Sequence, residues 1–143
     1  MSKRPIQMSN SIEKILIHRD IKPTAMRILV LKHLLEKQAV TSLTDLESFF
    51  ENTDKSTLFR TLKKFSEKKL IHKIDDGTGI IKYGLCEENC NCEPEDQHVH
   101  FHCTRCEDTY CLNYIKIPDL KIPEGFEGQS VNMVISGICS NCN

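Results

Sequence analysis

Apolar residues recur at helical spacing through the first half of the chain and in alternation through much of the second. Ile12, Ile15 and Leu16 mark a helix over 11–18, because side chains three and four apart share a helix face. Pro23-Thr24 precedes a stronger pattern over Ala25–Lys37, with Ile28, Leu31, Leu34 and Leu35 on one face. Thr41 or Ser42 can cap a third helix with Leu43, Leu46, Phe49 and Phe50 as its apolar positions, since a hydroxyl there accepts from an orphan backbone N–H. Asp54 can cap a fourth helix running to Lys68. Its buried face would be Leu58, Leu62 and Phe65, and its opposite face Ser56, Arg60, Lys63 and Lys64.

After Leu70 the period becomes two. Ile71–Ile74 and Ile80–Leu85 flank Asp75-Asp76-Gly77-Thr78-Gly79, a good hairpin loop. Helices, then a basic-faced helix, then a hairpin, is the order of a winged helix-turn-helix whose basic helix reads DNA. A small helical core with a solvated basic face fits the same periodicity equally well. Residues 87–97 read as an acidic, cysteine-containing linker or metal-binding loop. His98–Cys103 and Thr109–Ile117 read as strands, Pro118–Gln129 as irregular or briefly helical, and Val131–Ile135 as the last strand.

Charge sharpens this division. Residues 1–73 carry 15 Lys/Arg against 8 Asp/Glu, and residues 74–143 carry 4 against 12, so a net charge of −1 conceals halves of +7 and −8. A basic half suits phosphate contact. All eight cysteines lie between Cys86 and Cys142. No apolar stretch suits an export signal or a membrane span, so a cytoplasmic protein is expected. There, metal ligation is a better explanation of many cysteines than disulfides.

Cys103-Thr104-Arg105-Cys106 and Cys139-Ser140-Asn141-Cys142 are two C-x-x-C knuckles separated by 32 residues. Two intervening residues let both thiolates of a knuckle reach one ion, and four thiolates suit tetrahedral Zn²⁺. A structural zinc is the expectation, ahead of a rubredoxin-like iron or redox dithiols. His98, His100 and His102 alternate along one strand, with Cys111 downstream and Cys86, Cys90 and Cys92 upstream. Three imidazoles on one face beside cysteines point to a second metal site. Mixed Cys/His donors favour zinc, with Fe²⁺ possible. No His-Glu-x-x-His motif, nucleotide-binding glycine loop or deaminase pattern occurs, so no enzyme is expected.

Three sets of residues carry a resemblance over about Ile12–Cys142. They are Thr24 and Arg27 opening the second helix, Ser56-Thr57-Leu58-Phe59-Arg60-Thr61-Leu62 in the fourth, and His98-x-His100-x-x-Cys103-x-x-Cys106 with Cys139-x-x-Cys142. The chain resembles the ferric uptake regulator family, and within it most the zinc uptake regulators. The resemblance implies an α+β fold: an N-terminal winged helix-turn-helix over residues 1–85, then a small zinc-stapled α/β dimerisation domain over 86–143. It implies a homodimeric, metal-activated repressor of palindromic DNA operators, with no membrane association. Structural zinc would sit on Cys103, Cys106, Cys139 and Cys142. The sensing set would be His72, Cys86, Cys111 and one of His98 or His100, binding regulatory Zn²⁺, with Fe²⁺ or Mn²⁺ as alternatives. DNA contacts would come from Lys22, Arg27, Ser56, Thr57, Arg60 and Lys64. The chain departs from the family at Phe59, where a tyrosine is usual, and around Pro118–Pro123, where the dimerisation helix is shortened or replaced. The rival expectation is an iron or peroxide sensor on the same scaffold. A zinc-storage or metallochaperone protein would explain the cysteines but not the basic half.

Overall fold

The computed structural model describes residues 5–37, 39–86, 98–129 and 131–143, the side chains of residues 5–10, 98 and 113 excepted. Cys90 and Cys92 fall outside the described residues, as does the expected linker.

The chain is a mixed helix-and-sheet protein. Helix α1 spans Pro5–His18, starting earlier than its apolar spacing indicates; proline is well suited to the first helical turn, which needs no donor. Helix α2 spans Ala25–Glu36, and Thr24 caps it by accepting from the Arg27 N–H at 3.3 Å. Its buried side chains are Val30, Leu31 and Leu34. Leu35, expected inside, is 48% exposed. Strand β1 is the two-residue Thr41–Ser42, too short to register in an alternation pattern. Ser42 then caps α3 (Leu43–Phe49) through a capping box with Asp45. Leu46 is buried there, whereas Phe49 is 60% exposed, contrary to its expected core position. Helix α4 spans Lys55–Glu67. Asp54 stands at its N-cap, yet its side chain makes no cap hydrogen bond.

Strands β2 (Ile71–Asp75) and β3 (Ile81–Leu85) form the expected hairpin and extend it with β1 into a sheet of order β1-β3-β2. Gly77 and Gly79 take φ values of 86° and 83° in the connecting loop, the left-handed region that glycine enters without steric cost. The core beneath the hairpin gathers Leu16, Leu31, Leu46, Leu58, Leu62, Phe65 and Ile71, all buried. Each such side chain contributes about 1.5–3 kcal/mol relative to exposure.

A second sheet has the order β5-β4-β6, from β4 (His98–Cys103), β5 (Thr109–Lys116) and β6 (Val134–Gly137). Strands β4 and β5 are antiparallel; β4 and β6 are parallel. The last strand therefore begins three residues later than the apolar run at Val131 indicates. Gly137 is what lets β6 lie close to β4: a Cβ there would stand 3.2 Å from the Phe101 ring. Among the described residues no helix forms between β5 and β6, and residues 117–129 run irregularly with Leu120, Ile122 and Phe126 exposed.

Candidate functional site

The two C-x-x-C segments meet at one end of the second sheet. Cys103 ends β4, and the turn after it carries Cys106. The Thr104 N–H donates to the Gly137 carbonyl at 2.8 Å, which brings the chain leaving β6 alongside that turn and delivers Cys139 and Cys142. One sulfur from each of the four cysteines lies within 4.8 Å of the others. The backbone N–H groups of Cys106 and Cys139 donate to Cys103 Sγ at 3.5 and 3.4 Å. They pull the Cys103 thiol down to about 6, below the ordinary thiol range. These donors favour the thiolate at Cys103, and four sulfurs this close together make a donor set suited to structural zinc.

The second cluster arises where the two sheets face each other. In the second sheet His100 pairs across from Cys111, and His102 from Thr109. In the first sheet His72 pairs across from Gly84, and Ile74 from Lys82. The His72–Gly84 rung faces the His100–Cys111 rung. One donor atom each of His72, His100 and Cys111 lies within 4.8 Å of the others, and Cys111 Sγ is 3.8 Å from His72 Nε2. Burial pushes the Cys111 thiol up to about 12, so without a cation it is a neutral thiol at pH 7.

Cys86, expected among the same ligands, approaches His72 from the other side, with its Sγ 3.4 Å from Nδ1. An imidazole cannot direct both nitrogens at one ion. In the tautomer that carries its proton on Nδ1, the ring donates to the Cys86 sulfur and turns its Nε2 lone pair toward Cys111. The His98 side chain falls outside the described residues. His102 does not join the cluster; its Nδ1 lies 3.0 Å from Thr109 Oγ1.

The residues expected at DNA lie mostly on α4, where Ser56 and Arg60 are exposed and Thr57 and Lys64 half-buried. Arg60 Nη2 lies 3.5 Å from Thr57 Oγ1, one turn earlier. Lys22 is exposed before α2, and its carbonyl accepts from Arg27 Nη1 at 2.8 Å. Asp76, Lys82 and Thr109 were not singled out as site residues by sequence. Lys82 is buried, with an ion pair to Asp76.

A four-cysteine centre and a histidine–cysteine cluster on a mixed helix-and-sheet scaffold define the class: a metal-binding protein with a basic helical surface. The chain belongs to the ferric uptake regulator family, whose model matches residues 18–136. Solved structures show the same fold. A zinc uptake regulator complexed with zinc and DNA superposes with a TM-score of 0.63 at 19% identity, covering 99% of this chain and 96% of that one. A zinc-bound manganese uptake regulator gives 0.59 at 17% identity, covering 90% and 98%. The ferric uptake regulator from Francisella tularensis, with iron, gives 0.56 at 19% identity, covering 85% and 94%. No curated protein matches the sequence significantly. No helix among the described residues is long and apolar enough to cross a membrane.

Proposed function

We propose that this protein is a zinc-responsive transcriptional repressor that binds palindromic operator DNA as a homodimer. On this reading residues 1–85 form a winged helix-turn-helix domain with α4 as the recognition helix. Residues 86–143 form the dimerisation domain, stapled by zinc on Cys103, Cys106, Cys139 and Cys142. The exposed apolar residues Leu120, Ile122 and Phe126, in an irregular segment, supply surface for a second copy to cover.

The observation that carries the proposal is the position of the His72–His100–Cys111 cluster. His72 belongs to the hairpin that follows the basic helix, while His100 and Cys111 belong to the second sheet. An ion held by all three ties the DNA-reading half to the half that would fix the dimer. Metal then shifts the population toward one spacing of the two recognition helices, to the extent that it binds that arrangement more tightly than others. A thiolate among imidazoles favours zinc over Mn²⁺ and, less strongly, over Fe²⁺. Cys86 would orient His72, and His98 remains the sequence-based choice for a fourth donor.

The test begins with duplexes selected from a random DNA library by zinc-loaded protein. Protein carrying only its four-cysteine zinc is then titrated on them with buffered Zn²⁺, Fe²⁺ and Mn²⁺ separately. Binding stimulated by Zn²⁺ at the lowest free concentration supports the reading. A response to Fe²⁺ alone would replace it with an iron-responsive regulator.

A further inference from the structure

Two rungs beyond His100 and Cys111, on the same face, lies a polar cluster with no metal-ligand role in this reading. The Asp76 side chain, in the turn after β2, has no exposed surface, and that of Lys82 keeps 11%. The carboxylate accepts from Lys82 Nζ, from Thr109 Oγ1 at 2.6 Å and from Thr78 Oγ1 at 2.6 Å. Lys82 Nζ also donates to Thr109 Oγ1 at 3.1 Å and to the Glu107 carbonyl at 3.4 Å. His102 Nδ1 completes the shell of Thr109 Oγ1 at 3.0 Å. Asp76, Thr78 and Lys82 come from the hairpin, His102 from β4, Thr109 from β5, and Glu107 from the turn between those two strands. Beside them the Val40 N–H donates to the Thr109 carbonyl at 2.8 Å, so β5 is held from two sides.

Burying an ion pair costs desolvation that well-packed apolar side chains would avoid. As a bare adhesive the cluster is a poor choice. Its distinguishing property is geometry: each donor and acceptor is satisfied in one relative placement of the two sheets, and sliding or parting them leaves buried charge unpaired. Thr109 and Cys111 are two residues apart on β5, so their side chains share a face about 7 Å apart along the strand. Whatever seats Thr109 on the hairpin also seats Cys111 opposite His72.

We propose that the Asp76–Lys82–Thr109 cluster is a metal-independent latch that docks β5 on the β2–β3 hairpin and thereby sets how much metal is needed to fill the His72–His100–Cys111 site. The proposal rests on reading that site as a metal site bridging the two halves. With the latch closed, two of the three ligands already face the third. With it broken, the ion must select the docked arrangement from a wider population, and its apparent affinity falls by the docked fraction.

The experiment uses full-length protein holding its four-cysteine zinc, with Asp76→Asn and Thr109→Val. Thr109→Val keeps the side-chain shape and leaves the ion pair in place, which guards against a failure to fold. Two readouts are taken: the exchange rate of the Val40 amide proton, and Co²⁺ affinity at the second site from its thiolate charge-transfer band. The latch predicts Val40 exchange faster by on the order of tenfold and Co²⁺ binding weaker by roughly 5- to 150-fold in both variants, with the four-cysteine site still loaded. Parent-like values of both readouts overturn the proposal. Weaker Co²⁺ binding with unchanged Val40 exchange also overturns it, because Asp76 and Thr109 would then act on the ion and not on docking. Faster exchange with unchanged Co²⁺ affinity overturns the link to metal. If the parent itself takes up no second Co²⁺, the bridging-site reading fails, and Val40 exchange alone decides whether the latch exists.

Discussion

Gly84 on the hairpin stands so close to Cys111 of the second sheet that a Cβ on it would lie 2.9 Å from the sulfur. The same Cβ would meet Ile74 Cδ1 at 3.0 Å and Val40 Cγ1 at 3.1 Å. With contacts this tight in three directions, a methyl group must displace something, at a typical cost of about 1–3 kcal/mol. The thiol is the part that can leave, because it alone belongs to the facing sheet. Gly84→Ala is therefore expected to keep the four-cysteine zinc and lose most affinity for a second Zn²⁺ or Co²⁺, with weaker thiolate charge transfer. An unchanged second-site spectrum would show that the sheets can part without moving Cys111.

Cys103→Ser removes the sulfur that receives two backbone N–H donors and that is itself buried. Metal binding and folding are coupled in small domains held by an ion. The variant should purify with substoichiometric zinc and run as monomer or aggregate. A dimer with the parent's zinc content would remove the four-cysteine site from the folding argument.

Arg60→Ala tests the α4 face. Arg60 is exposed, and its Nη2 reaches Thr57 Oγ1 at 3.5 Å, so its loss should cost little stability. If it contacts phosphate, DNA affinity falls and the slope of log K against log salt decreases by about one. If it contacts guanine, the loss is about 1–3 kcal/mol and preference relaxes at one base pair. Parent-like affinity across the salt range would argue against α4 as the docking helix.

Cys111→Ser and Cys86→Ser should differ. Cys111 faces the His72 Nε2 side, together with His100, whereas Cys86 faces Nδ1. Replacing a ligand should abolish metal-stimulated DNA binding at ordinary buffered zinc. Replacing a partner that only orients an imidazole typically costs about 10- to 100-fold in metal affinity, so Cys86→Ser should respond at higher free zinc. Equal loss in both variants would make Cys86 a ligand and require His72 to turn its ring.

The helices and the β2–β3 hairpin were legible because their evidence is local: Leu58, Leu62 and Phe65 repeat at one face of α4, and Gly77 and Gly79 mark a turn that other residues enter at a cost. The four-cysteine centre was legible for the same reason, since each knuckle is a four-residue pattern. The apolar spacing of α2 left the facing uncertain by a fraction of a turn, hence Val30 inside and Leu35 out. What stayed hidden depends on pairing distant segments. Asp76, within the hairpin loop, and Lys82, within the strand after it, drew no role from the sequence, because Thr109, which makes sense of both, is more than 25 residues further on. The same holds for Gly84, whose lack of a side chain matters only because Cys111 occupies the space.

The acidity of Cys111 gives the second site a pH signature. Its thiol is raised to about 12 by burial, whereas an unperturbed cysteine titrates at about 8.5. Zinc binds the thiolate, so at neutral pH each ion taken up by this residue expels one proton. Second-site affinity should therefore rise about tenfold per pH unit from this residue. For an ordinary thiol that rise would level off above about 8.5; for Cys111 it should continue beyond pH 9. Folding carries the opposite sign. The folded state without the second ion favours the neutral thiol, so this stabilisation is complete below the unfolded value of about 8.5 and is lost progressively as pH climbs toward about 12. Competition with a zinc chelator between pH 7 and 9.5, alongside denaturant unfolding of protein holding only its four-cysteine zinc, measures both. An affinity plateau near pH 8.5 would mean that Cys111 is solvated in the metal-free protein and that the two sheets are not closed around it.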